Sequence, residues 1–142
     1  MIYIKCINKH KFQSIYCIQG WTAIGEWAGV PMRTIVELCK PLSNAKYVVF
    51  YSYQYTDNTQ YYEVVDLEVI KHSQIILAYE MNGEKLDIGH GAPLRLRVET
   101  QLGYKMVKWL KSIELVSNDK NIGMGQGGHR VDHKYYSSRA GI

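Results

Sequence analysis

Apolar and polar positions along the chain change period several times, and each change marks an expected element. Residues 12–18, Phe-Gln-Ser-Ile-Tyr-Cys-Ile, read as a short strand, with another over residues 2–7 and a polar turn at Asn8-Lys9-His10-Lys11 between them. Gly29-Val30-Pro31-Met32 then introduces Ile35, Val36 and Leu38. A proline near the first turn predicts a short helix to about Cys39, stopped by Pro41. Residues 45–52 are β-branched and aromatic without alternation, which predicts a strand buried on both faces with Ser52 at its exit. Thr56-Asp57-Asn58-Thr59 is turn chemistry, and residues 61–65 form the returning strand. Asp66 is placed to cap a short helix through Lys71, and residues 75–81 run into Asn82-Gly83 as a strand ending in a tight turn.

Residues 93–98 alternate: Leu94, Leu96 and Val98 on one face of a strand, Arg95 and Arg97 on the other, so two guanidinium groups point the same way. Residues 108–116 supply a last apolar segment. Beyond it, 117–142 reads as an irregular tail carrying Gly123, Gly125, Gly127 and Gly128. No repeat or long linker divides the 142 residues, a length suited to one domain.

Composition narrows the picture. With 46% hydrophobic and 21% charged residues the chain is of globular rather than disordered type. Its rings are mostly tyrosine (12 Tyr against 2 Phe and 3 Trp), whose polar tips suit half-buried β positions. The excess positive charge is concentrated in Arg95, Arg97, Lys105, Lys108 and Lys111, with Glu99 the one acid among them. Paired arginines followed by closely spaced lysines suit a phosphate group. Charge patterning by itself favours the plainer alternative of a solvated strand face with unrelated surface lysines. Nucleic acid is not predicted, because the tyrosines are scattered and no recognised motif is present.

Cys6, Cys17 and Cys39 lack C-x-x-C spacing, which weakens zinc and dithiol readings. No apolar run reaches the length of a membrane span, and no apolar leader opens the chain. The segment Gly123-Met124-Gly125-Gln126-Gly127-Gly128 lacks the strand-loop-helix context and the lysine and hydroxyl of a phosphate loop, so it is expected to be a flexible loop. His129, Asp132 and His133 are expected at the surface. Cys17 alone would be a core thiol. Its place, where a strand opens into Gly20-Trp21, suits a thiolate offered to a soft transition metal.

Cys17-Ile18-Gln19-Gly20-Trp21-Thr22 followed by Trp27-x-Gly29-Val30-Pro31 resembles the C-V-E-G-W-S…W-x-G-V-P signature of the sulfite-oxidase-like molybdopterin oxidoreductases. His90-Gly91-Ala92-Pro93-Leu94-Arg95, continuing to Gly103-Tyr104-Lys105-Met106-Val107-Lys108-Trp109, resembles that family's G-A-P-L-R…G-x-K-x-x-K segment. The resemblance implies an α+β fold of mixed β-sheets with short helices, and a molybdenum-molybdopterin cofactor whose metal is ligated by Cys17. It further implies cofactor contacts from Ser52, His90, Arg95, Met106, Val107 and Lys108, with Arg95 and Lys108 on the phosphate. The implied chemistry is oxygen-atom or two-electron transfer on a small-molecule substrate, as sulfite oxidation or sulfoxide-type reduction. Electrons would pass to or from a separate haem or cytochrome partner, since the chain has no C-x-x-C-H motif. Gln19 stands where many members carry Glu, and Thr22 replaces Ser. Family domains carry many more residues before the cysteine, so the expectation is a single partial domain lacking its N-terminal part. The alternative is a non-catalytic remnant of the same fold. The compartment stays open, although bacterial relatives are often periplasmic.

Overall fold

The computed structural model describes residues 9–17, 20, 22–56 and 58–133. The strand expected over residues 2–7, the positions Ile18, Gln19 and Trp21, and residues 134–142 lie outside them. Two antiparallel sheets carry the fold. The first orders β1 (Lys9–Tyr16), β2 (Thr22–Pro31), β5 (Ile76–Met81) and β6 (Glu84–Lys85), with β7 (Arg95–Arg97) also paired to β5. The second places β3 (Tyr47–Thr56) between β4 (Thr59–Asp66) and β8 (Leu110–Val116). Helices are short: α1 (Met32–Cys39), α2 (Leu67–Ile70) and α3 (His129–Asp132), with a 3-10 turn at Gly103–Lys105. This is the α+β architecture expected from the sequence.

Several elements form for the local reasons anticipated. α1 begins after Pro31, buries Met32 and Val36 one turn apart, and ends with Lys40 in the left-handed region. Asn82 and Gly83 both have positive φ, 54° and 80°, the backbone twist that closes a tight hairpin between β5 and β6. β3 is the central strand of its sheet, and Val48, Val49 and Phe50 are fully buried on both of its faces.

Other expectations are corrected. Lys9, His10 and Lys11 are not a turn: they pair with Gly29, Ala28 and Trp27, so pairing with β2 overrides their low strand preference. Asp66 precedes α2 but makes no side-chain cap; its register is set by Tyr47 across the sheet. Residues 117–133 are not a loose tail. They lie over the outer face of the second sheet, where Ile122 packs on Val49, Tyr62 and Val64.

The main core, including Met32, Val36, Phe50, Leu77, Leu96, Val107 and Leu110, joins both sheets. The first sheet is strongly curled. β7 and β1 are separated by β5 and β2 in the pairing order, yet an Arg97 Nη donates to the Ser14 carbonyl at 3.3 Å. β2 carries a bulge between Ala28 and Gly29, the kind of irregularity that lets a strand bend sharply.

Candidate functional site

The curl of the first sheet encloses Trp27, which is 0% exposed. Two cations lie over its indole: the guanidinium carbon of Arg97 is 4.4 Å from the ring centroid and that of Arg95 is 5.1 Å. Both arginines are buried, so the alternation read from 93–98 is correct in direction, and the solvated-face alternative is overturned for this part of the cluster. Lys105 is buried as well, Lys108 is half-buried and Lys111 is exposed.

The two arginines differ in their partners. Arg97 donates to Glu99 at 2.6 Å, to Gln13 Oε1 at 3.4 Å, to the Ser14 carbonyl, and to Met106 Sδ at 2.8 Å. Arg95 donates one Nη to the His90 carbonyl at 3.2 Å, and its buried Nε has no hydrogen-bond partner among the described residues. Burial pushes both guanidinium groups down to about 10, and the Arg97 charge adds to the effect on Arg95 while Glu99 opposes it. At neutral pH both remain protonated, so two cations share a site with one carboxylate. Trp27 Nε1, likewise buried, also lacks an acceptor among the described residues.

Around Arg95 the structure gathers most of the residues expected to contact a cofactor. Lys108 Nζ donates to the Gly89 carbonyl at 2.7 Å, and burial followed by the Arg95 charge lowers its pKa. Ser52 is fully buried; its hydroxyl donates to the Lys108 carbonyl at 2.7 Å and accepts from the Gln54 amide at 2.9 Å. Ser52 therefore fixes the backbone of Lys108. The Met106 and Val107 side chains are buried, and Val107 accepts from the Leu96 amide at 2.8 Å, which ties this stretch to β7. His90 is exposed, its Nδ1 2.9 Å from Asp87, while its carbonyl holds Arg95. Hydrogen bonds from His90 lower the Asp87 pKa. Gly91 is required here: a Cβ on it would come 3.0 Å from Lys108 Cβ. Beside this group Tyr53, Gln54, Ala92 and Trp109 line an open groove of about 470 Å³.

Cys17 is half-buried and follows the last β1 residue, with its carbonyl accepting from the Gly20 amide at 2.9 Å. In the alternation of β1 it follows Gln13 and Ile15, whose side chains turn toward Arg97 and the Trp27 cluster. Arg97 links this strand to the other positions expected to contact a cofactor, since it binds Ser14 at one end and Met106 at the other. Sequence reasoning marked Arg97 as basic but not as this bridge, and did not single out Trp27 as the platform. The signal was there: paired alternating arginines and an isolated tryptophan in the signature.

The model of the family described as oxidoreductase molybdopterin binding domain matches residues 1–122. The chain belongs to this family. Among curated proteins it is 37% identical over 97 residues to a putative protein-methionine-sulfoxide reductase subunit of Azospira oryzae, covering 68% of this chain and 35% of that one. It is 29% identical over 119 residues to the protein-methionine-sulfoxide reductase catalytic subunit of Xanthomonas axonopodis pv. citri, covering 77% and 37%. It is 39% identical over 100 residues to an NADPH nitrate reductase of Leptosphaeria maculans, covering 66% and 11%. The chain thus spans little more than a third of these relatives at most. The crystal structure of the sulfane dehydrogenase SoxCD from Paracoccus pantotrophus superposes with a TM-score of 0.70 at 20% identity, over 80% of this chain and 33% of that one, which shows the shared fold.

The residues present fit the group this molybdopterin family implies. An unpartnered buried guanidinium nitrogen beside a second cation suits a phosphate oxygen. No group of three or more His, Cys, Asp or Glu side chains able to hold a metal occurs among the described residues. Cys17, half-buried at the end of β1, can offer one thiolate. No helix among the described residues is long and apolar enough to cross a membrane.

Proposed function

We propose that this chain forms the cofactor-cradling face of a molybdenum-dependent oxidoreductase, with Cys17 Sγ as the protein ligand to the metal and Arg95 and Lys108 neutralising the molybdopterin phosphate. The observation that carries this reading is the buried Arg95, held against Trp27 with Arg97 beside it and its Nε lacking a partner among the described residues. A buried charge with one donor unsatisfied and a second cation beside it is costly, and an anion in that place would offset the cost.

When bound, the cofactor supplies a metal centre that exchanges an oxygen atom or two electrons with a small substrate. This chain's residues orient it. Arg95 offers a fork of donors to a phosphate, and Lys108 adds a second positive charge. Ser52 fixes the Lys108 backbone, and Trp27 excludes water beneath the arginines. His90 stands exposed at the margin, where its imidazole would contact the pterin. Similarity to methionine-sulfoxide reductase subunits supports sulfoxide-type reduction ahead of sulfite oxidation. Electrons would be exchanged through a separate haem or cytochrome partner.

Molybdenum and pterin content per chain, measured for wild type and Cys17→Ala, tests the reading. Wild type is expected to carry both, and Cys17→Ala to keep pterin while losing most of the metal. Equal molybdenum in the two proteins would remove Cys17 from the site. Wild type devoid of both would favour a non-catalytic remnant of the fold.

A further inference from the structure

One buried ionic network lies away from the arginines and outside the chemistry described so far. Glu63 in β4 is 0% exposed, and its carboxylate meets Lys105 Nζ at 2.9 Å. The same ammonium donates to the Val64 carbonyl at 3.2 Å and to the Gly127 carbonyl at 2.7 Å, so it is held by two carbonyls beside its ionic partner. Gly127 belongs to the glycine-rich stretch, which lies past residue 122, where the family match stops. That stretch is itself held in place. Asp132 accepts from the Met124 amide at 2.9 Å, from the Gln126 amide at 3.1 Å and from the Tyr62 hydroxyl. Asp132 and His129 are therefore interior groups, correcting the surface placement expected from sequence.

Lys105 immediately precedes Met106, Val107 and Lys108. Its ammonium is anchored from one side by β4 and from the other by the glycine-rich stretch, while its backbone leads directly into the residues assigned to the cofactor. The Met106 amide donates to the Gly103 carbonyl at 3.1 Å and the Val107 amide to the Lys105 carbonyl at 3.1 Å, so the stretch depends on the geometry of the 3-10 turn that Lys105 closes. We propose that residues 123–132 act as a latch that sets the position of Met106–Lys108 through the Lys105 ammonium, making Lys105 a positioning residue for cofactor binding. The inference rests on the cofactor assignment of Met106–Lys108 made above. Its mechanical part does not.

Lys105 joins Gly127 directly to the turn, whereas His129 reaches it only indirectly, stacking on Tyr61 whose hydroxyl donates to the Tyr104 carbonyl at 2.7 Å, so loss of the latch and loss of the ammonium should act largely as one event. Residue-resolved hydrogen exchange of the purified protein tests this with Asp132→Asn, Lys105→Met and the double variant. Each single variant should speed exchange at the Met106 and Val107 amides by about tenfold or more, the scale set by losing one buried polar partner. The double variant should add little, because coupled sites are not additive. Amides of the β2–β5 pairing should keep wild-type protection, which global destabilisation would not allow. If Asp132→Asn does not fold, Tyr62→Phe removes one donor from the same carboxylate and should give the same pattern at smaller amplitude. Faster exchange confined to residues 123–132, or effects that simply add, would overturn the latch.

Pterin content of the same samples separates the two readings. A latch that passes the exchange test should lower pterin retention together with the exchange change. Wild type that binds no pterin defeats the functional reading and the positioning role alike, whereas pterin retained at wild-type levels in all variants defeats the positioning role alone.

Discussion

Arg95 and Arg97 sit two residues apart on one strand face, and their partners give them opposite energetic signs. Arg97 is saturated by Glu99, Gln13, Ser14 and Met106, so Arg97→Met removes the ion-pair partner of a mostly buried carboxylate and unties β1 from β7. Breaking such a pair costs about 3 kcal/mol or more. Arg95 has a buried charge, a cationic neighbour and an Nε unpartnered among the described residues. Arg95→Met should therefore leave the cofactor-free protein as stable as wild type or more stable by about 1 kcal/mol. The same change should lower pterin retention by about tenfold or more, the value of a charge-assisted hydrogen bond. Urea unfolding of the cofactor-free proteins and pterin content of the loaded ones check both directions. Loss of stability in Arg95→Met comparable to that in Arg97→Met would mean that Arg95 is a structural cation.

At the scale of elements, the curl of the first sheet decides whether these residues meet, and Gly29 permits it. A Cβ there would fall 2.2 Å from the Leu77 carbonyl oxygen and 2.7 Å from Ala78 Cα, so β2 and β5 cannot keep their pairing around any larger residue. Gly29→Ala is expected to destabilise the fold by roughly 2–4 kcal/mol and to lower cofactor content in parallel, read by thermal unfolding and pterin content. A variant with unchanged stability would show that β2 can shift without penalty. Local signals made α1, β3, β4 and the Asn82-Gly83 turn legible in the sequence, because a helix-starting proline, unbroken β-branched runs and turn residues are short-range chemistry. β2 was not legible: Thr-Ala-Ile-Gly-Glu-Trp-Ala-Gly-Val-Pro has neither period, and only its pairing with β1 and β5 makes it a strand. The site divides in the same way. Cys17, Arg95 and Lys108 could be picked out by residue type and motif, whereas the burial of Arg97, Lys105, His129 and Asp132 depends on partners such as Gln13, Glu63 and Tyr62, far along the chain.

For the whole molecule, the buried Glu63 makes stability depend on pH in a direction opposite to that of an ordinary salt-bridged carboxylate. Burial raises its pKa from 4.5 to about 7, and the Lys105 ammonium only partly opposes the rise. Between those two values the unfolded chain has released this proton while the folded chain still holds it, so folding binds a proton and stability falls as pH rises. Below about 4.5 both states are protonated and above about 7 both are ionised, so the contribution is flat outside the window. Glu63→Gln keeps the shape and an acceptor for Lys105 but cannot titrate. The difference in unfolding free energy between wild type and Glu63→Gln should therefore shift against wild type by up to about 3 kcal/mol from pH 4.5 to 7 and then level off. Taking the difference cancels the groups common to both proteins, including the exposed Asp87–His90 pair. Urea unfolding at intervals across this range measures it. A constant difference would mean that Glu63 is ionised throughout and held so by Lys105, whereas a difference moving in favour of wild type with rising pH would mean that the ion pair outweighs the cost of burial. Either result would also change what the latch is made of: a neutral Glu63 leaves Lys105 anchored chiefly by the carbonyls of Val64 and Gly127, and an ionised one makes the carboxylate its main hold.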